Sequence, residues 1–271
     1  MSIFKMIGTD TEFFVSRNNE IGSAIGKLGG SKKVPRLVKH GNVQEDNVLA
    51  EMAVDPCRSL FEWHNKIDTV HKSLSDIMSK QGYNLETTSS HRYATELLRT
   101  YPKEAHAFGC NRDHNVYVGK DNSKPRPING LRTAAGHIHF SYVRPDYNTT
   151  CEIIKCMDYT LGLWSVLMDS DRERRQLYGK AGDCRIKPYG GEYRTLGNFW
   201  INNQSKLSYV YNVTKLCVEQ HTTLLPSLKL IVEEWQLQEI INNYYVDSAR
   251  LVLPRIQKLV NDRIEEKRDA A

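Results

Sequence analysis

Several short stretches carry side chains whose types and spacing could do chemistry. The densest is residues 172–199, RERRQLYGKAGDCRIKPYGGEYRTLGNF, where Arg172, Arg174, Arg175, Lys180, Arg185 and Lys187 are interspersed with Gly179, Gly182, Gly190 and Gly191. Near its end stands Glu192-Tyr193-Arg194, and in a strand that spacing puts the carboxylate and the guanidinium on one face. Glycine lets a backbone approach a ligand closely, and Arg forks grip phosphate or carboxylate oxygens in pairs. A charge run alone is ordinarily a solvated loop. An acidic metal ligand embedded among phosphate binders is instead what a nucleotide-dependent site requires.

Two further stretches read as strands with a reactive face. In GTDTEFFV (8–15), Asp10, Glu12 and Phe14 alternate with Thr9, Thr11 and Phe13. Two carboxylates on one face either belong to an edge strand facing water or hold a cation between them. In TAAGHIHFSY (133–142), His137, His139 and Ser141 share one face and Ile138, Phe140 and Tyr142 the other. Paired histidines there could bind metal, act as acid and base, hydrogen-bond a nucleotide, or simply be solvated. The small Ala134-Ala135-Gly136 lead-in leaves room for something to approach. A fourth segment, VQEDNVLAEMAVDP (43–56), groups Asp46, Asn47 and Glu51. Asn47 and Glu51 share a face either as a helix (i, i+4) or as a strand, and Pro56 ends the segment. The Gly-rich SAIGKLGG (23–30) lacks the spacing of a P-loop.

The elements that must position these residues follow from periodicity. Apolar residues at 60, 63, 67, 70, 74 and 77 form a helical stripe with Ser59 as N-cap and Gly82 as C-cap, which leaves His64 and His71 off the stripe and exposed. Residues 84–101 are ambiguous between short strands and loop. FGCNRDHNVYVG (108–119) reads as a turn entering a short strand with Asp113 and His114 at its mouth, and DNSKPRPINGLR (121–132) as a Pro/Gly-rich loop. Residues 151–171 form a nearly continuous apolar pattern, a buried helix crossing the back of the sheet. From 205 to 268 the spacing is helical, with Pro226 and Pro254 as expected breaks and an amphipathic last helix over 255–268. With no repeat or linker, the reading is one α+β domain over 1–271: a mostly antiparallel sheet, helices on one face and a helical C-terminal part.

Bulk properties narrow the classes. The 271 residues are 40% hydrophobic and 25% charged, which is globular rather than disordered composition. A net charge of +5 suits an anionic substrate but argues only weakly for nucleic acid. Six scattered cysteines without a CxxC pair read as reduced thiols, not a disulfide framework or zinc site. No apolar run reaches the roughly 18 residues of a membrane span, and no signal-peptide pattern opens the chain, so a cytoplasmic protein is expected.

Taken together and in order, GTDTEFF, QEDNVLAEMAVDP, FGCNRD, RTAAGHIHF and YGKAGDCRIKPYGGEYRTLGNFW resemble the phage-type carboxylate–amine ligases (type 2) of the glutamine synthetase and glutamate–cysteine ligase superfamily. The resemblance covers roughly residues 6–200. One departure is Asp10, a shorter ligand where relatives often have Glu. The resemblance implies a curved antiparallel sheet with ligands on its concave face, and an amidoligase that uses ATP and Mg²⁺ (or Mn²⁺) to make an acyl phosphate that an amine attacks. It implies Asp10, Glu12, Glu51, Glu192 and His137 as metal ligands. Lys180, Arg174, Arg175 and Lys187 are implied as nucleotide binders, and Arg194, Arg185 and His139 as groups at the reacting centre. Its partners would be a carboxylate and an amine, with neither membrane nor nucleic acid required, and a phage-encoded copy would work in the host cytoplasm. Two other classes use parts of the same set. A metal-dependent nuclease or phosphoesterase needs the Asp/Glu/His cluster but not ATP, and a non-enzymatic phage binding or structural protein leaves the acidic strand face unexplained.

Overall fold

The computed structural model describes the chain except Met1, residues 107–111, 124, 125, 127, 270 and 271. Cys110 and part of the expected 108–119 turn and 121–132 loop therefore lie outside the described residues.

The strands that matter are β1 (Phe4–Arg17), β2 (Arg36–Val38), β3 (Gly41–Asp46), β4 (Leu49–Cys57), β5 (His114–Asn115), β6 (Lys120–Asp121), β7 (Gly136–Tyr142), β8 (Asp183–Lys187) and β9 (Gly190–Tyr193). They form an open sheet in the order β2-β3-β4-β1-β7-β9-β8-β5-β6, with every named pair antiparallel. Glu20–Ile21 and Asn84–Glu86 add to the end of β1, and Ser90–Arg92 pairs with Leu131–Thr133 as a separate ribbon. The 84–101 region thus resolves into two short strands and the helix Thr95–Thr100. The 43–56 segment is a hairpin, not a helix: Asn47 takes φ 57° at its turn, a left-handed conformation that Asn tolerates better than most residues.

Alternation along the strands separates two apolar clusters. Phe13, Ile138, Phe140 and Tyr142 join the main core, whereas Phe14 packs in a smaller cluster with Val48, Leu49, Tyr93 and Ala134. Helices α1 (Leu60–Ser79), α2 (Tyr147–Met157), α3 (Leu163–Met168), α4 (Gln204–Lys229), α5 (Glu234–Asn243) and α6 (Val246–Asp269) supply the main core's other wall. The stripe of α1 buries Trp63, Ile67, Val70, Leu74 and Met78, and Ser59 Oγ accepts from Glu62 N–H as the N-cap. Lys80 caps its other end, and Gly82 makes the left-handed turn two residues later at φ 77°. His64 and His71 are half-buried rather than exposed, the latter with its ring 5.4 Å from that of Phe13. Between α2 and α3 the buried 151–171 stretch widens into a π-helical turn, Asp158–Gly162, which admits a carboxylate to the core.

The two prolines do not break helices. Pro226 lies inside α4 and Pro254 inside α6, each on an exposed face. The carbonyls they leave without an N–H partner belong to Thr222 and Arg250, both exposed, so water satisfies them. Among the described residues no helix is long and apolar enough to cross a membrane, and the five described cysteines are free and buried.

The space left by Ala134-Ala135-Gly136 is filled by the chain itself. Ala135 bridges Gly197, and a Cβ at Gly136 would lie 2.6 Å from Gly197 O and 2.7 Å from Trp200 Nε1. The small residues therefore dock the 197–200 segment against β7, and Asn198 Nδ2 donates to Glu12 O at 2.8 Å.

Candidate active site

Strand register brings the reactive side chains together. Asp10 lies opposite His137, Glu12 opposite Glu51, His139 opposite Glu192, and Glu192 opposite Arg185. Because alternate residues share a face, Asp10, Glu12, Glu51, His137, His139, Glu192, Arg185 and Lys187 occupy one side of the sheet across five adjacent strands. The side opposite carries the main core, so the register that buries Ile138 and Phe140 also fixes these groups.

They divide into two triads with different electrostatics. Asp10, His139 and Glu192 each offer a ligand atom, all within 4.8 Å of one another, and so do Glu12, Asp46 and Glu51. The first triad is already rich in positive charge. Burial pushes the Glu192 carboxyl up, but His137 and Arg194 outweigh it and hold it at about 2. Glu192 meets Lys187 Nζ at 2.9 Å and Arg185 Nη1 at 3.3 Å, and Arg194 Nη1 contacts it directly. Asp10 is likewise held well below the carboxylate range, against its burial, by His137 and His139.

The second triad is less fully compensated. Burial, then Asp46 and Glu51, raise Glu12 well above its ordinary value, and burial with Asp10 and Asp46 pushes Glu51 up to about 8. Lys32 Nζ reaches Asp46 at 2.6 Å, and Gln44 Nε2 donates to Glu51 at 2.6 Å. The backbone adds an Ala135 N–H donated to Glu12 Oε2 at 2.8 Å. Clustered buried carboxylates with raised proton affinity are a donor set suited to a divalent cation. Glu51→Gln is accordingly expected to raise the melting temperature of the metal-free protein above pH 8, by about 2–4 °C for each kcal/mol recovered at this size. The wild type should show the matching pH dependence. Its Glu51 value is raised on folding, so the stabilising contribution is whole below about 4.5 and is lost as the pH climbs through about 8. Calorimetric melts of both proteins from pH 4 to 9 check this, and equal melting at pH 8.5 would contradict it.

The two histidines are held by different partners. His139 Nδ1 is held by Tyr189 OH at 2.8 Å, which aims Nε2 at Asp10, 3.4 Å away. That is how a ligating imidazole is usually braced. His137 Nδ1 instead sits between Asp10 Oδ1 at 2.9 Å and Arg194 Nη1 at 3.2 Å, and burial with the Arg194 charge favours its neutral form. Arg194 is buried and also pairs through Nε with Asp113 at 2.7 Å.

The basic stretch does not act as one unit. Arg185, Lys187 and Arg194 reach the first triad. Arg174, although it borders the cavity beside Glu12, donates from Nη1 and Nη2 to the carbonyls of Thr195 at 2.7 Å and Arg194 at 3.1 Å. Arg175 is 5% exposed and donates to Gly179 O at 2.9 Å and Ser165 Oγ at 2.7 Å. Lys180 is exposed and lines a separate cavity with Arg175. The glycines of this stretch serve the same framework: a Cβ at Gly179, where φ is 76°, would collide with the Arg174 guanidinium. Beneath β9, buried Asp158 accepts from Tyr193 O–H at 2.7 Å and Gly182 N–H at 2.6 Å, which anchors the strand between Glu192 and Arg194.

Asp46 and Asp113 join the site without having been assigned a role from sequence. Both stood in motifs already singled out, QEDNV and FGCNRD, but only the strand register shows which partners they meet. Two cavities flank the triads. One of about 400 Å³ has mainly apolar walls, with Ile7, Val54, Pro56 and Phe140 beside Asp10 and His139. The other, smaller, is bordered by Glu12, Asp113, Arg132 and Arg194 together with Val48, Leu49 and Leu177.

Among solved structures, a bifunctional glutathione synthetase from Pasteurella multocida superposes with a TM-score of 0.53 at 11% identity, over 97% of this chain and 45% of that one. The chain thus spans less than half the length of that relative, and the likeness is one of fold. A glutamine synthase homolog (TM-score 0.39, 11% identity, 97% of this chain and 71% of that one) and a GmaS/ADP complex (0.41, 12%, 95% and 69%) also match. No curated protein matches the chain by sequence. The sequence profile of one family matches residues 124–270, more than half of the chain and including His137, His139, Glu192 and Arg194. By that match the chain belongs to the phage phiEco32-like COOH.NH2 ligase-type 2 family.

Proposed function

We propose that this chain is an ATP-dependent ligase that joins a carboxylate to an amine through an acyl phosphate, releasing ADP and phosphate. The observation that carries the reading is the pair of cation-ready triads on one sheet face, Asp10–His139–Glu192 and Glu12–Asp46–Glu51, with Arg185 and Arg194 beside them. Bound ATP with two Mg²⁺ ions would supply the phosphoryl group and neutralise its charge in transfer. The donor set fits those ions: hard oxygens, one imidazole, and carboxylates whose proton affinity is raised. His139 rather than His137 belongs to the first ion's ligands, because Tyr189 fixes it for that task.

The chain's own groups do the rest. The apolar walls near Asp10 and His139 suit a nucleoside, with the triphosphate running toward the triads. Arg194 and Arg185 stand where charge develops on the phosphoryl oxygens, and Asp113 holds the Arg194 fork in orientation. His137, kept neutral, fixes Asp10. The cavity next to Glu12 and Arg132, where charged groups face Val48, Leu49 and Leu177, takes the carboxylate and the amine. Residues 1–271 act as one amidoligase domain, since the triads draw on strands from both halves of the chain. ATP supply and reduced buried thiols favour the cytoplasm.

The test is whether nucleotide binding depends on the metal. ATP and Mg²⁺ together are expected to raise the melting temperature, with about 2.7 kcal/mol of stabilisation at a hundredfold excess over Kd, while ATP alone gives much less. Equal stabilisation without Mg²⁺, or none with it, would overturn the reading.

A further inference from the structure

The 172–180 segment has two sides, and only one faces the triads. Arg174, Leu177 and Tyr178 border the cavity beside Glu12 and Arg194. Arg172, Arg175 and Lys180 border another, of about 340 Å³, closed by Asn242, Asn243 and Tyr244 at the end of α5. Its polar character is unlike the apolar hollow near Asp10.

This second cavity is a built site. Asn242 Oδ1 accepts from Ala181 N–H at 2.8 Å, which leaves its amide NH2 as a donor. Tyr244, in the left-handed conformation at φ 57°, is fixed by donating its O–H to Asp169 O at 2.7 Å. Arg175 is almost fully buried and held by Gly179 and Ser165, yet its Nε has no hydrogen-bond partner among the described residues. Arg172 and Lys180 are exposed and form no ion pair among the described residues. Among the described residues no acidic side chain lines the cavity. Asp169, whose charge acts on Arg175, is committed to Ser89 Oγ and to Asp171 N–H. Three cations and the Asn242 amide around one half-open cavity, whose lining among the described residues includes no carboxylate, form a receptor for an oxyanion.

We propose that this cavity binds the phosphate group of a small ligand, at a site separate from the triads, with Arg172 and Lys180 as its main charge contacts and Asn242 as a donor, while the neighbouring Asn243 donates to Glu239 at 2.8 Å. The ligand sits behind the segment whose front borders the proposed reaction site. This holds whether or not the chain is a ligase, because none of the site's residues belongs to the triads.

Inorganic phosphate is the probe, titrated calorimetrically without Mg²⁺ into the full chain, the Arg172→Gln/Lys180→Gln double variant and the Arg185→Gln variant. Both double-variant positions are exposed, so that protein keeps its fold, which its melting curve verifies. The wild type and Arg185→Gln are expected to bind equally, and the double variant at least about tenfold more weakly, as the loss of charge-assisted hydrogen bonds implies. Unaltered binding in the double variant, loss in Arg185→Gln alone, or no binding by the wild type would overturn the site. Adenosine 5′-phosphate and adenosine then distinguish the source. Displacement of phosphate by the nucleotide but not the nucleoside supports a phosphate ester as ligand, and binding of phosphate alone supports the free ion.

Discussion

Glu192→Gln is expected to destabilise the protein by about 3–5 kcal/mol and to abolish its Mg²⁺-dependent ATP binding, the opposite stability change from Glu51→Gln. The two carboxylates lie on the same sheet face, and their charge is balanced differently. Glu192 is buried against Arg194, Lys187 and Arg185, with His137 Nδ1 3.9 Å away. Removing its charge deprives buried Arg194 of one of its carboxylate partners, and breaking one side of a buried pair costs the desolvation of the other. The pH dependence has the reverse sign as well. Glu192 is depressed to about 2 on folding, so its contribution is present above its ordinary 4.5 and is lost as the pH falls toward 2. Urea unfolding of the two variants at pH 7.5 measures the contrast. A Glu192→Gln protein as stable as wild type would show that the ion-pair network is not holding this face together.

Arg194→Lys should leave ATP affinity within a few-fold of wild type while raising the barrier to the maximal rate by roughly 2–4 kcal/mol, a loss of about 30- to 1000-fold. A single guanidinium here spans Asp113 through Nε and Glu192 and His137 through Nη1. An ammonium keeps the charge but cannot hold three partners in a fixed plane, so the developing phosphoryl charge loses a preorganised donor. Pre-steady-state phosphate release separates the chemical step from binding. A normal rate in the variant would place Arg194 outside the reaction.

Much of this site was legible in the sequence because strand alternation is local. Asp10 with Glu12, His137 with His139, and Glu192 with Arg194 each declared a shared face from i, i+2 spacing. Which strands would be neighbours was not local, and it decides that Glu12 meets Glu51 and Asp46 while Glu192 meets Arg185. Glu51 itself was compatible with helix or strand until the hairpin turn at Asn47 was known. The basic run is divided by the fold in a way that its sequence does not show, because charge in a loop is ordinarily read as facing water or a ligand. The Nη atoms of Arg174 and Arg175 donate to carbonyls and to Ser165 Oγ of the surrounding chain and help hold the 172–180 segment in shape. Pro226 and Pro254 misled, since a proline ends a helix only where the bereft carbonyl cannot reach water. The small residues before His137 were read as room for a ligand and turn out to receive Gly197 and Trp200.

The nucleotide product distinguishes the acyl-phosphate route from every alternative. The protein is supplied with ATP, Mg²⁺ and mixed pools of carboxylates and amines. The nucleotides are resolved by chromatography, and the pools are searched by mass spectrometry for a species lighter by one water than a carboxylate–amine pair. The account predicts ADP and inorganic phosphate, formed in step with that amide and only when both pools are present. AMP and pyrophosphate, or ATP hydrolysis indifferent to the pools, would contradict it.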